Sequence, residues 1–235
     1  MLEAAFWGLV GGLALVIGAV AALTVRPSSR TVAFVMAFGA GVLISAVAYD
    51  LTQEALELGG GESVAAGLVG GSLVYAALYK LVNRRGSTGA EAEGRALALG
   101  ALLDGIPESA AIGLTLLAGG GVSISFLVAV FLSNLPESVS ASYEFEKAHR
   151  SPGRIIAIWL TITAAGALAA AVGYQVLGGA SADFQAATKA FAGGAILTML
   201  ATEMVPDAFR ESGNSISVGL VTVLGFALAA LLSSA

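Results

Sequence analysis

Two short motifs carry the chemistry of this sequence. Asp104-Gly105-Ile106-Pro107-Glu108-Ser109 and Ser133-Asn134-Leu135-Pro136-Glu137-Ser138 each set polar oxygens around a proline inside an otherwise apolar run. Asp104 and Glu108 stand i,i+4, and Asn134 and Glu137 stand i,i+3, so each pair projects from one helix face. A proline within a helix removes an N–H and clashes with the carbonyl four residues earlier, which frees the carbonyls of Leu103 and Leu132. Carboxylates, an amide oxygen and freed carbonyls make a hard, oxygen-rich cation site. The oxygen donors of this cavity are Asp104, Glu108, Asn134 and Glu137, with Ser133 and Ser109 as secondary polar groups.

The elements that position these motifs are membrane helices. Of 235 residues, 57% are hydrophobic and 11% are charged, against about 25% charged in an ordinary soluble domain. Apolar stretches fall at about 4–25, 31–56, 63–82, 96–118, 122–143, 154–177, 184–208 and 215–234, divided by glycine, proline and arginine punctuation. The expectation is an all-α, polytopic membrane protein of eight transmembrane helices, a single transporter domain over residues 1–235 with the lipid bilayer as its surroundings. The first stretch has no basic leader and is longer than the apolar part of a signal peptide, so it reads as a span.

Ten of the eleven Lys and Arg residues fall on one side of this arrangement, with Lys189 opposed. The positive-inside rule makes that side cytoplasmic and both termini external. On these spans the motifs lie roughly 12–23 Å along their helices, near the middle of an apolar layer about 30 Å thick. Seven acids fall within the spans and no intramembrane cation is expected beside them. Charge at that depth costs several kcal/mol unless it is paired or hydrated, so the compensating cation is expected to come from outside the chain.

The chain also resembles itself. Residues 37–41, Asp50 and Glu54 match residues 190–194, Glu203 and Asp207 at a fixed offset of 153, and the two proline motifs match at an offset of 29. Matching spans run in opposite directions, which reads as a 3+2+3 inverted repeat. Inverted repeats with interrupted helices at mid-membrane are the layout of secondary transporters. Asp50, Glu54, Glu203 and Asp207 then fall at the two mouths, as pathway or gate residues.

Other groups carry less. With no cysteine there is neither a disulfide nor a thiolate site, which excludes a soft Cu(I) centre. No basic run exists to bind nucleic acid, and the glycine clusters are turns rather than phosphate cradles. His149 reads as a solvated loop residue, Met199 and Met204 as packing, and Trp7 and Trp159 as ordinary helix aromatics. Small-residue faces such as Gly8, Gly12 and Gly67, Gly71 permit close helix contacts within one chain or in a homodimer.

The proline motifs and the stretch Phe191-Ala192-Gly193-Gly194-Ala195 through Glu203-Met204-Val205-Pro206-Asp207 resemble the ZIP (Zrt/Irt-like) family of divalent-metal transporters, in its prokaryotic form. The resemblance implies eight spans, external termini, a location in the plasma membrane, and a metal ion (Zn, Mn, Fe or Cd) as substrate, with no organic cofactor. It implies Glu108, Asn134 and Glu137 as ligands, with Asp104 standing where the family usually has His. It also implies an elevator-like motion of spans 1, 4, 5 and 6 past spans 2, 3, 7 and 8. Span 6 here lacks an acid and the loop between spans 3 and 4 lacks the family's histidines, so the expectation is one divalent-cation site that is harder than usual. The alternatives are a Na⁺- or H⁺-coupled cation exchanger and a transport-inactive, metal-sensing relative. An aspartic-protease reading fails because Tyr49-Asp50 has no Gly-x-Gly-Asp partner, so no enzyme is expected.

Overall fold

The computed structural model describes residues 1–83, 102, 105–106, 108–118 and 121–233. Asp104, Leu103 and Pro107 lie outside the described residues. The described chain is helical, with no strand among the described residues. Helix α1 spans Leu2–Thr24 and α2 spans Ser29–Ala46; a π-helical turn, Val47–Gln53, leads into α3, Glu54–Asn83. Residues 108–115 form α4, followed by α5, Ile124–Lys147, and α6, Pro152–Leu177. Helix α7, Ala182–Met199, passes through a second π-helical turn, Leu200–Met204, into α8, Val205–Glu211, and α9, Ser217–Ser233, follows.

Local signals in the sequence set these boundaries. Ser28 and Ser181 are N-caps whose side chains accept from the backbone N–H of Thr31 and Phe184. Pro152 opens α6, where its missing N–H costs nothing. Gly213 and Asn214, both at positive φ, turn the chain between α8 and α9. The boundary expected at Gly59-Gly60-Gly61 is where the chain breaks: Gly60 leaves helical geometry (φ 75°, ψ 176°), and α3 is two helices joined there by a kink. A single residue in a conformation that glycine adopts freely is enough to redirect the helix.

Four segments are long and apolar enough to cross a membrane: Leu2–Thr24, Ser29–Leu81, Ile124–Lys147 and Pro152–Leu177. Large apolar side chains face outward on them, including Ile17, Leu73, Leu168 and Val172. Outward leucine and valine on helix after helix suits hydrocarbon rather than water.

With lipid as apolar as leucine, helices must associate through close fit. A Cβ at Gly41 of α2 would lie 1.9 Å from Thr222 O of α9, and one at Gly225 of α9 would lie 2.2 Å from Phe38 O of α2. The same crossing recurs 153 or 154 residues along the chain. A Cβ at Gly194 of α7 would lie 2.1 Å from Leu68 O of α3, and one at Gly71 would lie 1.9 Å from Phe191 O. The two π-helical turns begin at Val47 and Leu200, at that same offset of 153.

Contacts divide the helices into two groups. Helices α2, α3, α7, α8 and α9 pack together, and so do α1, α5 and α6. Helix α4 joins the latter, since Gly113 and Gly166 press it against α6. The groups meet along a seam between α2 and α5. Substituting Gly71→Val should lower the melting temperature in detergent micelles sharply, because overpacking costs about 1–3 kcal/mol or more. Gly219→Ala, where an added Cβ meets nothing within 4 Å, should leave the melting temperature unchanged.

Candidate metal centre

The centre is built where α1, α4 and α5 meet. Glu108 is 1% exposed and Asn134 is 3% exposed. Ser133 Oγ donates to Glu108 Oε1 at 3.3 Å and lies 3.0 Å from Val130 O. Asn134 Nδ2 donates to Gly11 O of α1 at 3.3 Å. That approach needs a glycine on α1: a Cβ at Gly11 would already lie 3.1 Å from Ile112 of α4 and 3.5 Å from Val130 of α5. With its amide nitrogen thus engaged, Asn134 keeps a buried Oδ1 that has no hydrogen-bond partner. Buried amide oxygens are normally satisfied, so this one marks a place where a donor or a cation fits. Ser45 Oγ of α2 is buried and unpartnered as well.

Pro136 lies inside α5, as the motif requires, and Glu137 is half-buried one turn from Asn134. Glu108 and Ser133 are therefore in contact, Asn134 follows Ser133 on α5 with its amide against α1, and Glu137 is on the adjoining turn, while Asp104 is not among the described residues. Two expected contributors point elsewhere. The carbonyl of Leu132, freed by Pro136, faces α2, where a Cβ at Gly39 would lie 3.0 Å from it. A helix carbonyl points along the axis on its own face, and that face of α5 is the seam. Ser109 Oγ faces Gly166 of α6, 2.7 Å from where a Cβ would sit.

Each of the four acids expected at the mouths is held by a protein partner. Asp50 accepts from Ser125 Oγ at 2.8 Å, Glu203 accepts from Tyr75, and Asp207 pairs with Arg210 at 2.9 Å. Glu54 pairs with Lys189. This last pair corrects the expectation that no basic group lies among the spans: Lys189 of α7 is 1% exposed. A lysine among apolar residues 184–196 was the available signal for it, whereas nothing in the sequence marked Tyr75 or Ser125. No three His, Cys, Asp or Glu side chains converge among the described residues.

Minor expectations hold. His149 is exposed in the turn after α5, Met199 and Met204 are buried in the apolar core, and Trp159 is buried with its Nε1 donating to Ser142 Oγ at 2.9 Å.

No family model matches the chain. A protein of Arabidopsis thaliana named "Putative zinc transporter" is 28% identical over 193 residues, which is 78% of this chain. The chain is a distant relative of that protein. It spans about a third of the length, 31% of the Arabidopsis protein. The apolar helices fit a membrane protein.

The Glu54–Lys189 pair gives a direct check on this charge arrangement. Glu54→Leu should lower stability in detergent by about 3 kcal/mol, because the buried Lys189 ammonium left alone keeps its full desolvation cost. Lys189→Met combined with Glu54→Leu should recover most of that loss in a chemical or thermal melt.

Proposed function

We propose that this protein is a secondary transporter that moves divalent metal cations of the Zn, Mn, Fe and Cd class across a membrane through the site around Glu108, Asn134 and Glu137. The observation that carries this reading is the unpartnered Asn134 Oδ1, buried beside Ser133 and Glu108 within α4 and α5. A divalent cation supplies what a hydrogen-bond donor does not: it binds the amide oxygen and the carboxylates at once and offsets the cost of holding them in an apolar layer. Asp104 completes the ligand set in this reading. The name of the Arabidopsis relative points the same way and speaks against an enzyme.

The proposal includes an eight-span, 3+2+3 inverted-repeat architecture with external termini in the plasma membrane. The recurrence of the α2–α9 crossing in α3–α7, and of the π-helical turns, supports the repeat. It includes elevator-type alternating access, in which α1, α4, α5 and α6 carry the cation past the other helices. The two contact groups and the seam between them support that motion. With carboxylate, amide and hydroxyl oxygens and no imidazole, the site takes one ion and accepts Mn²⁺ as well as Zn²⁺.

Uptake of Zn²⁺ and Mn²⁺ into liposomes carrying the full chain tests this. The native protein should accumulate both ions, and Glu108→Ala with Glu137→Ala should reduce uptake at least about 100-fold, as loss of charged ligands does. Uptake unaffected by the double substitution contradicts the site assignment, and a calorimetric stoichiometry of two contradicts the single site.

A further inference from the structure

The seam between the two helix groups is fastened at both ends. Helices α2 and α5 run antiparallel along it. Gly39 faces Leu132 at the middle, Asp50 meets Ser125 at one end, and Pro27, just before α2, meets Tyr143 at the other. Ser125 and Tyr143 each stand nine residues from Asn134, about 13 Å along the helix in either direction. The metal centre therefore lies midway between two polar fastenings.

The first fastening is a buried unit. Ser125 Oγ donates to the Asp50 carboxylate at 2.8 Å and lies 2.9 Å from Ser123 Oγ. Ser123 Oγ accepts from the backbone N–H of Phe126, capping α5, and the Ser123 N–H donates to Thr115 Oγ1 at 3.3 Å. Asp50 is thus tied to the junction of α4 and α5, the two motif-bearing helices. At the second fastening Tyr143 OH donates to Pro27 O at 2.8 Å, and Arg26 pairs with Glu146 beside it. Between these points the seam is looser than the crossings inside the group of α2, α3, α7 and α9. A Cβ at Gly39 would stand 3.0 Å from Leu132 O, against 1.9–2.3 Å at the glycine crossings of α2 with α9 and α3 with α7. A crevice of about 300 Å³, lined by Phe38, Val42, Ser125, Val128, Leu228 and Ala229, opens beside Ser125.

We propose that Asp50–Ser125 and Tyr143–Pro27 are the two gates of the central site, and that releasing either one while the other holds opens the site toward that end alone. The inference rests on the transport reading and adds to it which contacts must alternate. With both fastenings made, Glu108 and Asn134 are sealed from both faces, as their burial records. An elevator displacement that begins at the freed end while the other end is still held tilts α5 away from α2 at that end first, which exposes the midpoint from the free side. Ser125 and Tyr143 act here as positioning residues: they touch no cation.

The chain has no cysteine, so Ser133→Cys supplies a single thiol at the central site with a side chain of nearly the same shape. In oriented vesicles, a membrane-impermeant thiol reagent should label this reporter slowly from both faces. Adding Ser125→Ala should raise labelling about fivefold from the face away from Arg26, the shift expected for one hydrogen bond's net worth. Adding Tyr143→Phe should raise it similarly from the face that bears Arg26. Ser125→Thr, which keeps the hydroxyl, should label like the reporter alone and shows that the effect is not one of folding. Unchanged labelling in both variants, or opening of the same face by both, overturns the proposal. Zn²⁺ uptake into vesicles with the native chain is read in parallel: side-specific labelling without uptake upholds the gates and removes the transport reading, whereas uptake without side-specific labelling does the reverse.

Discussion

An oxygen that carries charge is tolerated between apolar helices only when another group shares that charge, and the acids of this chain are arranged under that constraint. Asp50 takes a serine hydroxyl, Glu203 a tyrosine hydroxyl, Asp207 an arginine and Glu54 a buried lysine. These are local solutions, each joining two neighbouring elements and each complete within the protein. At the α4–α5 centre the solution is incomplete in one respect. Ser133 serves Glu108, and Gly11 O accepts one amide N–H of Asn134, which leaves Asn134 Oδ1 as an acceptor with no donor. The difference between satisfied acids at the periphery and an unsatisfied oxygen at the centre is what supports the proposed cation site.

The same environment explains the glycine usage. In water, burial of leucine and valine would hold helices together. In lipid that drive is absent, and van der Waals contact of backbone on backbone replaces it. Gly41 and Gly225 lock α2 to α9, and Gly194 and Gly71 lock α3 to α7, with almost no clearance. The other group is closed in the same manner through Gly8 against Ala170, Gly18 against Ser138, and Gly113 against Ala170. Between the groups Gly39 stands farther from Leu132, and the seam is held at its ends by the Asp50–Ser125 and Tyr143–Pro27 hydrogen bonds. Closely packed groups with a seam fastened at its ends suit the proposed relative motion of the two.

Much of this was legible in the sequence, for a physical reason: hydropathy and punctuation respond to the bilayer residue by residue. The capping serines at 28 and 181, the turn at Gly213-Asn214 and the proline inside α5 all lie where local pattern places them. The proline motifs likewise announced Glu108 and Asn134, since mid-span polar residues are costly and stand out. What escaped depends on direction or on distant neighbours. The facing of the Leu132 carbonyl toward Gly39 follows from which side of α5 meets α2, and no spacing rule encodes that. Lys189 was placed by hydropathy alone on the far side of the layer, and its burial against Glu54 arises from the packing of α7 on α3. Ser125 and Tyr75 are ordinary residues that become significant only through partners 75 and 128 positions away.

The most direct measurement is an anomalous-scattering structure of the protein soaked with Cd²⁺. The account predicts one strong peak between α4 and α5, at metal–oxygen bonding distance of about 2.2–2.6 Å from Asn134 Oδ1 and the Glu108 carboxylate, with Glu137 turned toward it. A peak bound instead at Asp50, Glu203 or Asp207, with Asn134 Oδ1 hydrogen-bonded to water or protein, would contradict it.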